Sequence, residues 1–85
     1  MNLIFTDEAW ESYLYWQAYD KNILKKINAM IKEIMRAPFE GIGKPEPLRY
    51  ELSGYWSRRI TSEHRLVYKI AHDDLIILST RYHYD

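Results

Sequence analysis

Residues 38–47, PFEGIGKPEP, constrain this chain of 85 residues more than any other segment, because they hold all three prolines and two of the three glycines. Proline lacks an amide proton and biases its predecessor toward extended backbone, so neither a helix nor a central strand runs through such a stretch. The segment is therefore expected to be a stiffened loop dividing the chain into two unlike halves. Before it, Ile23, Ile27, Met30, Ile31 and Ile34 recur at helical spacing, with Lys21, Lys25, Lys32 and Glu33 on other faces. Asp20 is the expected N-cap of this helix, and pre-proline Ala37 its end. Upstream, Asn2–Phe5 has strand character, and Thr6 caps a first helix with Asp7 and Glu8 in its opening turn. The apolar stripe of that first helix is expected at Trp10, Tyr13, Leu14 and Gln17, with Glu11, Ser12 and Tyr15 outward.

After the loop the apolar period shortens. Residues 48–52, 55–61, 65–71 and 75–84 read as strands, separated by Ser53-Gly54, Ser62-Glu63-His64 and His72-Asp73-Asp74. Short turns between consecutive strands imply an antiparallel meander, and two amphipathic helices ahead of it would cover one face. The expected fold is α+β: a single domain over residues 1–85, with an N-terminal strand and two helices packed on a mainly antiparallel sheet. Alternation along the strands sends Arg58 and Arg59 to opposite faces and puts Arg81 and His83 on the same one.

A domain of this size buries only roughly 60–65% of its unfolded surface, so modest stability and association with a partner are expected. Cysteine is absent, which removes disulfides and thiolate zinc sites and suits a reducing compartment. No apolar run approaches the roughly 20 residues of a membrane span, and residues 1–5 lack the regions of a signal peptide, so a soluble, cytoplasmic protein is expected. The net charge of zero conceals a pattern. Residues 1–20 carry four acidic groups and no basic one; residues 21–45 carry six basic against two acidic; residues 46–70, five against three; the last fifteen, one against three. A basic middle is thus flanked by acidic ends. Thirteen aromatics, eight of them tyrosine, exceed what so small a core needs and suit interfaces.

Metal-ligand spacings, glycine-rich phosphate loops and nucleophile elbows are missing, which removes most motif-defined enzyme classes and calls for neither metal nor cofactor. Polar chemistry concentrates after residue 43. Glu46 lies between two prolines, a setting that holds a carboxylate in extended backbone and equally suits a solvated loop glutamate. Lys44, Arg49, Arg58, Arg59, Arg65 and Arg81 interleave with Tyr50, Tyr55, Trp56, Tyr68, Tyr82 and Tyr84, a mixture suited to single-stranded RNA and also to protein interfaces. One carboxylate, one histidine and several arginines form a minimal kit for cutting RNA: a base for the 2′-OH, a cation for the phosphorane, an acid for the departing 5′-oxygen.

Four segments carry a specific resemblance. The loop Gly43-Lys44-Pro45-Glu46-Pro47-Leu48, residues 52–61 (LSGYWSRRIT), residues 63–68 (EHRLVY) and the ending Arg81-Tyr82-His83-Tyr84 resemble the YoeB toxins, part of the wider RelE-like superfamily of toxin-antitoxin systems. Trp10 with residues 13–16 (YLYW) and Lys25-Lys26-Ile27-Asn28 resemble the same family. The resemblance implies a ribosome-dependent endoribonuclease that cuts mRNA in the A site, forms a homodimer, is restrained by a YefM-type antitoxin and meets operator DNA only through that complex. It implies Glu46 as general base, Arg65 as transition-state cation, His83 as general acid and Tyr84 as an orienting group. Arg59 would lie near the substrate phosphate, and Lys44 is a further candidate to bind substrate. Arg49, standing where relatives often carry lysine, would do so with altered donor geometry. Asp85 adds a carboxylate beyond the usual terminal tyrosine, and its charge near His83 would raise that histidine's proton affinity. For Lys44, Arg58 and Arg81, contact with ribosomal RNA and simple solvation are both open. The alternative function on this scaffold is a non-catalytic toxin that binds a target such as DNA gyrase.

Overall fold

A computed structural model describes residues 1–82. The elements run β1 (Asn2–Phe5), α1 (Asp7–Tyr19), α2 (Lys21–Arg36), β2 (Glu46–Pro47), a 3-10 turn at Tyr50–Leu52, β3 (Trp56–Arg59), β4 (Arg65–Ala71) and β5 (Asp74–Ser79). They form one five-stranded sheet in the order β1-β5-β4-β3-β2, with β1 parallel to β5 and the other pairs antiparallel. Both helices begin as the caps require. Thr6 Oγ1 accepts the Ala9 amide at 3.1 Å, and Asp20 Oδ1 accepts those of Asn22 and Ile23. Helix α2 ends at Arg36, ahead of Ala37. Its Ile27, Met30, Ile31 and Ile34 are buried against Leu66, Tyr68, Leu75 and Ile77 of the sheet. Each such side chain contributes on the order of 2 kcal/mol of burial.

Helix α1 departs from expectation. Its buried residues are Ala9, Ser12 and Trp16, whereas Trp10 and Leu14 are 49% and 40% exposed. The reason is the partner it packs on. Thr80, just past β5, is fully buried: its amide and hydroxyl reach Ser12 Oγ at 3.1 and 2.8 Å, while its carbonyl accepts Trp16 Nε1–H at 2.9 Å. Ser12 gives its own proton to the Ala9 carbonyl. Small residues at positions 9 and 12 let the helix approach the sheet closely enough for these bonds. The larger aromatics then gather outside, with Trp10 stacked on Tyr13 and both edge-on to Phe5.

The second half also differs in detail. Residues 48–52 do not form a strand: Leu48 and Arg49 lead into the 3-10 turn at Tyr50–Leu52, with Tyr50 at φ +58°. Glu46 and Pro47, expected in the loop, pair with Ser57 and Trp56 as a short edge strand; proline is tolerated there because an edge leaves one side of the backbone unpaired. The last strand stops at Ser79, where Ser79 Oγ bonds the Arg81 backbone and breaks the alternation expected through residue 84.

Arg58 organises the loop. Its side chain is fully buried, and all five guanidinium N–H groups are used. They reach Tyr68 Oη, Glu33 Oε1 and the carbonyls of Ile42, Ala37 and Glu40, at 2.8–3.2 Å. Glu33 Oε1 also accepts the Ile42 amide at 2.7 Å, and that bond, with Arg58 beside it, holds the carboxyl below its ordinary value. Tyr68 gives its proton to the Pro38 carbonyl, and burial raises its pKa. Gly41, at φ +119°, lies against this knot: a Cβ there would stand 1.7 Å from Glu33 Oε1. Solvation and RNA contact were both open for Arg58; its burial excludes each.

Candidate active site

Three short strands carry the residues of interest. In an antiparallel pair, directly opposed residues project to the same side, and side chains two apart along a strand do likewise. Glu46 opposes Ser57, Ser57 opposes Val67, and Arg59 opposes Arg65. Glu46, Ser57, Arg59 and Arg65 therefore share one face. Arg58, on the alternate face, reaches Glu33 of α2 at 3.1 Å, so the shared face is the one turned away from the helices.

Arg65 is partly buried and donates from Nη1 to Ser57 Oγ at 3.3 Å, a contact that anchors the guanidinium on this face. Glu46 is exposed on the outermost strand. Lys44 and Arg59 lie to one side. With Lys26, Ile42, Gly43, Ile60, Thr61 and Ser62 they line a groove of about 610 Å³ whose three charged residues are all basic. The groove's wall is set by the backbone: Gly43, at φ +81°, accepts the Arg59 amide at 2.7 Å, and Lys26 Nζ donates to the Ile60 carbonyl. Arg49 is exposed immediately before the 3-10 turn, outside the strand ladder. Arg81 does not project freely either. Its guanidinium lies 3.5 Å over the Tyr15 ring and 4.9 Å over that of Tyr82, with an Nη2–H bond to the Tyr82 hydroxyl.

His83, Tyr84 and Asp85 lie outside the described residues. The chain leading to them is held firmly. The Tyr82 amide donates to His64 Nδ1 at 2.7 Å, and the Tyr82 carbonyl accepts the Arg65 amide at 2.8 Å. Ser57, Lys26 and His64 were not singled out by sequence reasoning. Only register could have found Ser57. His64 reads in sequence as a turn residue, although its place one residue before Arg65 is a weak signal. Among the described residues, no three His, Asp or Glu side chains converge as metal ligands.

Residues 5–84 match the profile of the family described as YoeB-like toxin of bacterial type II toxin-antitoxin system. The chain is similar to the toxin YoeB of Escherichia coli K12, at 62% identity over 84 residues that cover 99% of this chain and 100% of the relative. Among solved structures it is similar to a YoeB/ParE toxin from Agrobacterium tumefaciens, with TM-score 0.96, 45% identity and 99% and 100% of the two chains covered. It is also similar to the YoeB dimer and the heterotetrameric YoeB-YefM toxin-antitoxin complex from Staphylococcus aureus. These have TM-scores of 0.91 and 0.90, with 49% identity and 99% and 98% of the two chains covered in each case.

Proposed function

The chain belongs to the YoeB-like toxins of bacterial type II toxin-antitoxin systems, and from that premise we propose that it is a ribosome-dependent endoribonuclease that cuts mRNA in the A site. The observation that carries the reading is the register that puts Glu46, Arg59 and Arg65 on one helix-free face of the sheet. Glu46 takes the proton of a 2′-OH, and the resulting oxygen attacks the adjacent phosphorus. Arg65, oriented by Ser57, neutralises charge building on the phosphorane, and Arg59 and Lys44 hold flanking phosphates. As the bond from phosphorus to the 5′-oxygen breaks, His83 supplies the proton that the leaving oxygen needs, with Tyr84 orienting the nucleotide. The products are a 2′,3′-cyclic phosphate, open to hydrolysis to the 3′-phosphate, and a free 5′-OH. Every proton in this scheme is handled by the chain's own side chains, so it requires no metal. DNA lacks the attacking hydroxyl and is not a substrate.

The partners proposed are a YefM-type antitoxin, a second copy of the chain, and operator DNA through the antitoxin complex. The S. aureus assemblies and the exposed apolar groups of β1 and α1, Leu3, Ile4, Trp10 and Leu14, support a protein-binding surface. Toeprinting of translating ribosomes tests the activity. Glu46→Ala and His83→Ala are expected to cut on the order of 100-fold or more slowly than wild type, the usual scale of a lost acid or base. Wild-type A-site cleavage by both variants would sink the assignment, and arrest of DNA synthesis before translation would favour gyrase binding.

A further inference from the structure

Tyr82 adopts a left-handed backbone, φ +60°, which disfavours a side chain with a Cβ. A residue persists there only when its surroundings over-determine it. Two bonds do so here. His64 Nδ1 accepts the Tyr82 amide at 2.7 Å, and the Arg65 amide donates to the Tyr82 carbonyl at 2.8 Å. Consecutive residues at the start of β4 thus grip both polar groups of one residue, and the second of them, Arg65, also sends its guanidinium onto the candidate face. The imidazole itself is locked: 8% exposed, edge-on to Trp16 at 4.7 Å and tilted against the Tyr82 ring at 5.2 Å. Because Nδ1 accepts, the ring proton sits on Nε2, which faces Glu63 Oε1 at 3.1 Å. The carboxylate selects the tautomer, the tautomer presents the acceptor, and the acceptor fixes the chain one residue before His83.

We infer that His64 is a positioning residue for the reaction: its neutral, Nε2-protonated ring, selected by Glu63, holds Tyr82 so that the following segment starts from a fixed point beside Arg65. The inference rests on the ribonuclease reading. It assigns His64 no contact with RNA and no proton transfer in the cleavage step.

Two substitutions separate the acceptor from the ring. His64→Phe keeps a planar ring between Trp16 and Tyr82 and lacks the acceptor, whereas His64→Asn keeps an acceptor oxygen at the place of Nδ1. Two readouts are needed: kcat and KM for cleavage on programmed ribosomes, and hydrogen exchange of the Tyr82 amide by NMR. His64→Phe is expected to lose at least tenfold in Tyr82 protection and on the order of 10- to 100-fold in kcat, with KM little changed, as for a catalytic group displaced by a fraction of an ångström. His64→Asn is expected to recover most of both. If His64→Phe melts below the assay temperature, His64→Gln, whose acceptor is displaced by one bond, replaces it with the same expected losses. Wild-type kcat in the acceptor-free variant overturns the inference, as do equal losses in the Phe and Asn variants. A wild-type protein that cuts no mRNA on ribosomes instead refutes the ribonuclease reading, and with it any catalytic role for His64.

Discussion

Replacing Arg58 with methionine keeps much of the buried alkyl volume and removes five N–H donors at once. The losses can be placed one by one. The carbonyls of Ala37, Glu40 and Ile42 and the hydroxyl of Tyr68 each lose a donor in a region where the guanidinium was fully buried. Glu33, with 19% of its side chain exposed, can be rehydrated and keeps the Ile42 amide, so its lost partner adds little. Four acceptors at roughly 1 kcal/mol each, reduced because a surface loop can turn some of them to water, give about 3 kcal/mol. That is within the range for breaking a buried charged contact from one side. For a domain whose total stability is about 4–13 kcal/mol, it is a large fraction. The melting temperature is expected to fall by about 12–24 °C. Urea unfolding followed by fluorescence of the three tryptophans measures the change. The double variant Arg58→Met, Glu33→Leu removes the unpaired carboxylate as well and is expected to be less damaged than the sum of the two single changes. A loss below about 1 kcal/mol for Arg58→Met would refute the idea that this side chain holds the loop. The consequence reaches function, because residues 37–42 lead directly into Lys44 and Glu46. A loosened loop is expected to weaken cleavage even under conditions where the protein remains folded.

Ser12→Ala leaves the buried Thr80 amide and hydroxyl without their acceptor and is expected to cost about 2 kcal/mol, read by urea unfolding; an unchanged midpoint would contradict the role given to α1. The lowered carboxyl of Glu33 contributes stability that is present above its ordinary value of 4.5 and is lost as pH falls through the depressed folded-state value. The stability advantage of wild type over Glu33→Gln is therefore expected to hold constant from pH 7 to about pH 5 and to shrink below that, and an advantage that persisted unchanged at pH 3 would show that the carboxylate's charge is not what binds the loop.

Local signals were legible in the residues alone. The caps at Thr6 and Asp20, the α2 stripe, the stop before Pro38 and the extent of β4 all depend on neighbours within a turn or two, which is the range that propensity and periodicity describe. The α1 stripe was not legible, since Trp10 and Leu14 are the apolar residues, yet Ala9 and Ser12 face the sheet. Hydropathy ranks side chains by their cost in water and is blind to a buried serine that accepts two bonds from Thr80. Arg58 and Arg59 are adjacent and chemically identical, and alternation placed them on opposite faces without saying which face was covered. Only α2, arriving with Glu33, decides that. The candidate site divides in the same way. Glu46, Arg65, His83 and Tyr84 were named through a family resemblance carried by short motifs, whereas neither spacing nor composition indicated that Glu46 and Arg65 share a face.

The sequence by itself determined both helices, the strands of residues 2–5 and 65–71, the proline-rich break after α2, the absence of thiol chemistry, and membership of a toxin family. Those properties are local or compositional, and each survives without knowledge of what packs on what. The tertiary structure decided which of two neighbouring arginines is a buried staple and which lines a basic groove. It also decided that a turn histidine grips the chain ahead of the candidate acid, and that the Glu46 strand closes the sheet's edge. These follow from strand register and helix approach, quantities set by contacts between residues 18 to 68 positions apart. Such contacts are chosen by the free energy of the whole packed arrangement, and no window along the chain contains them.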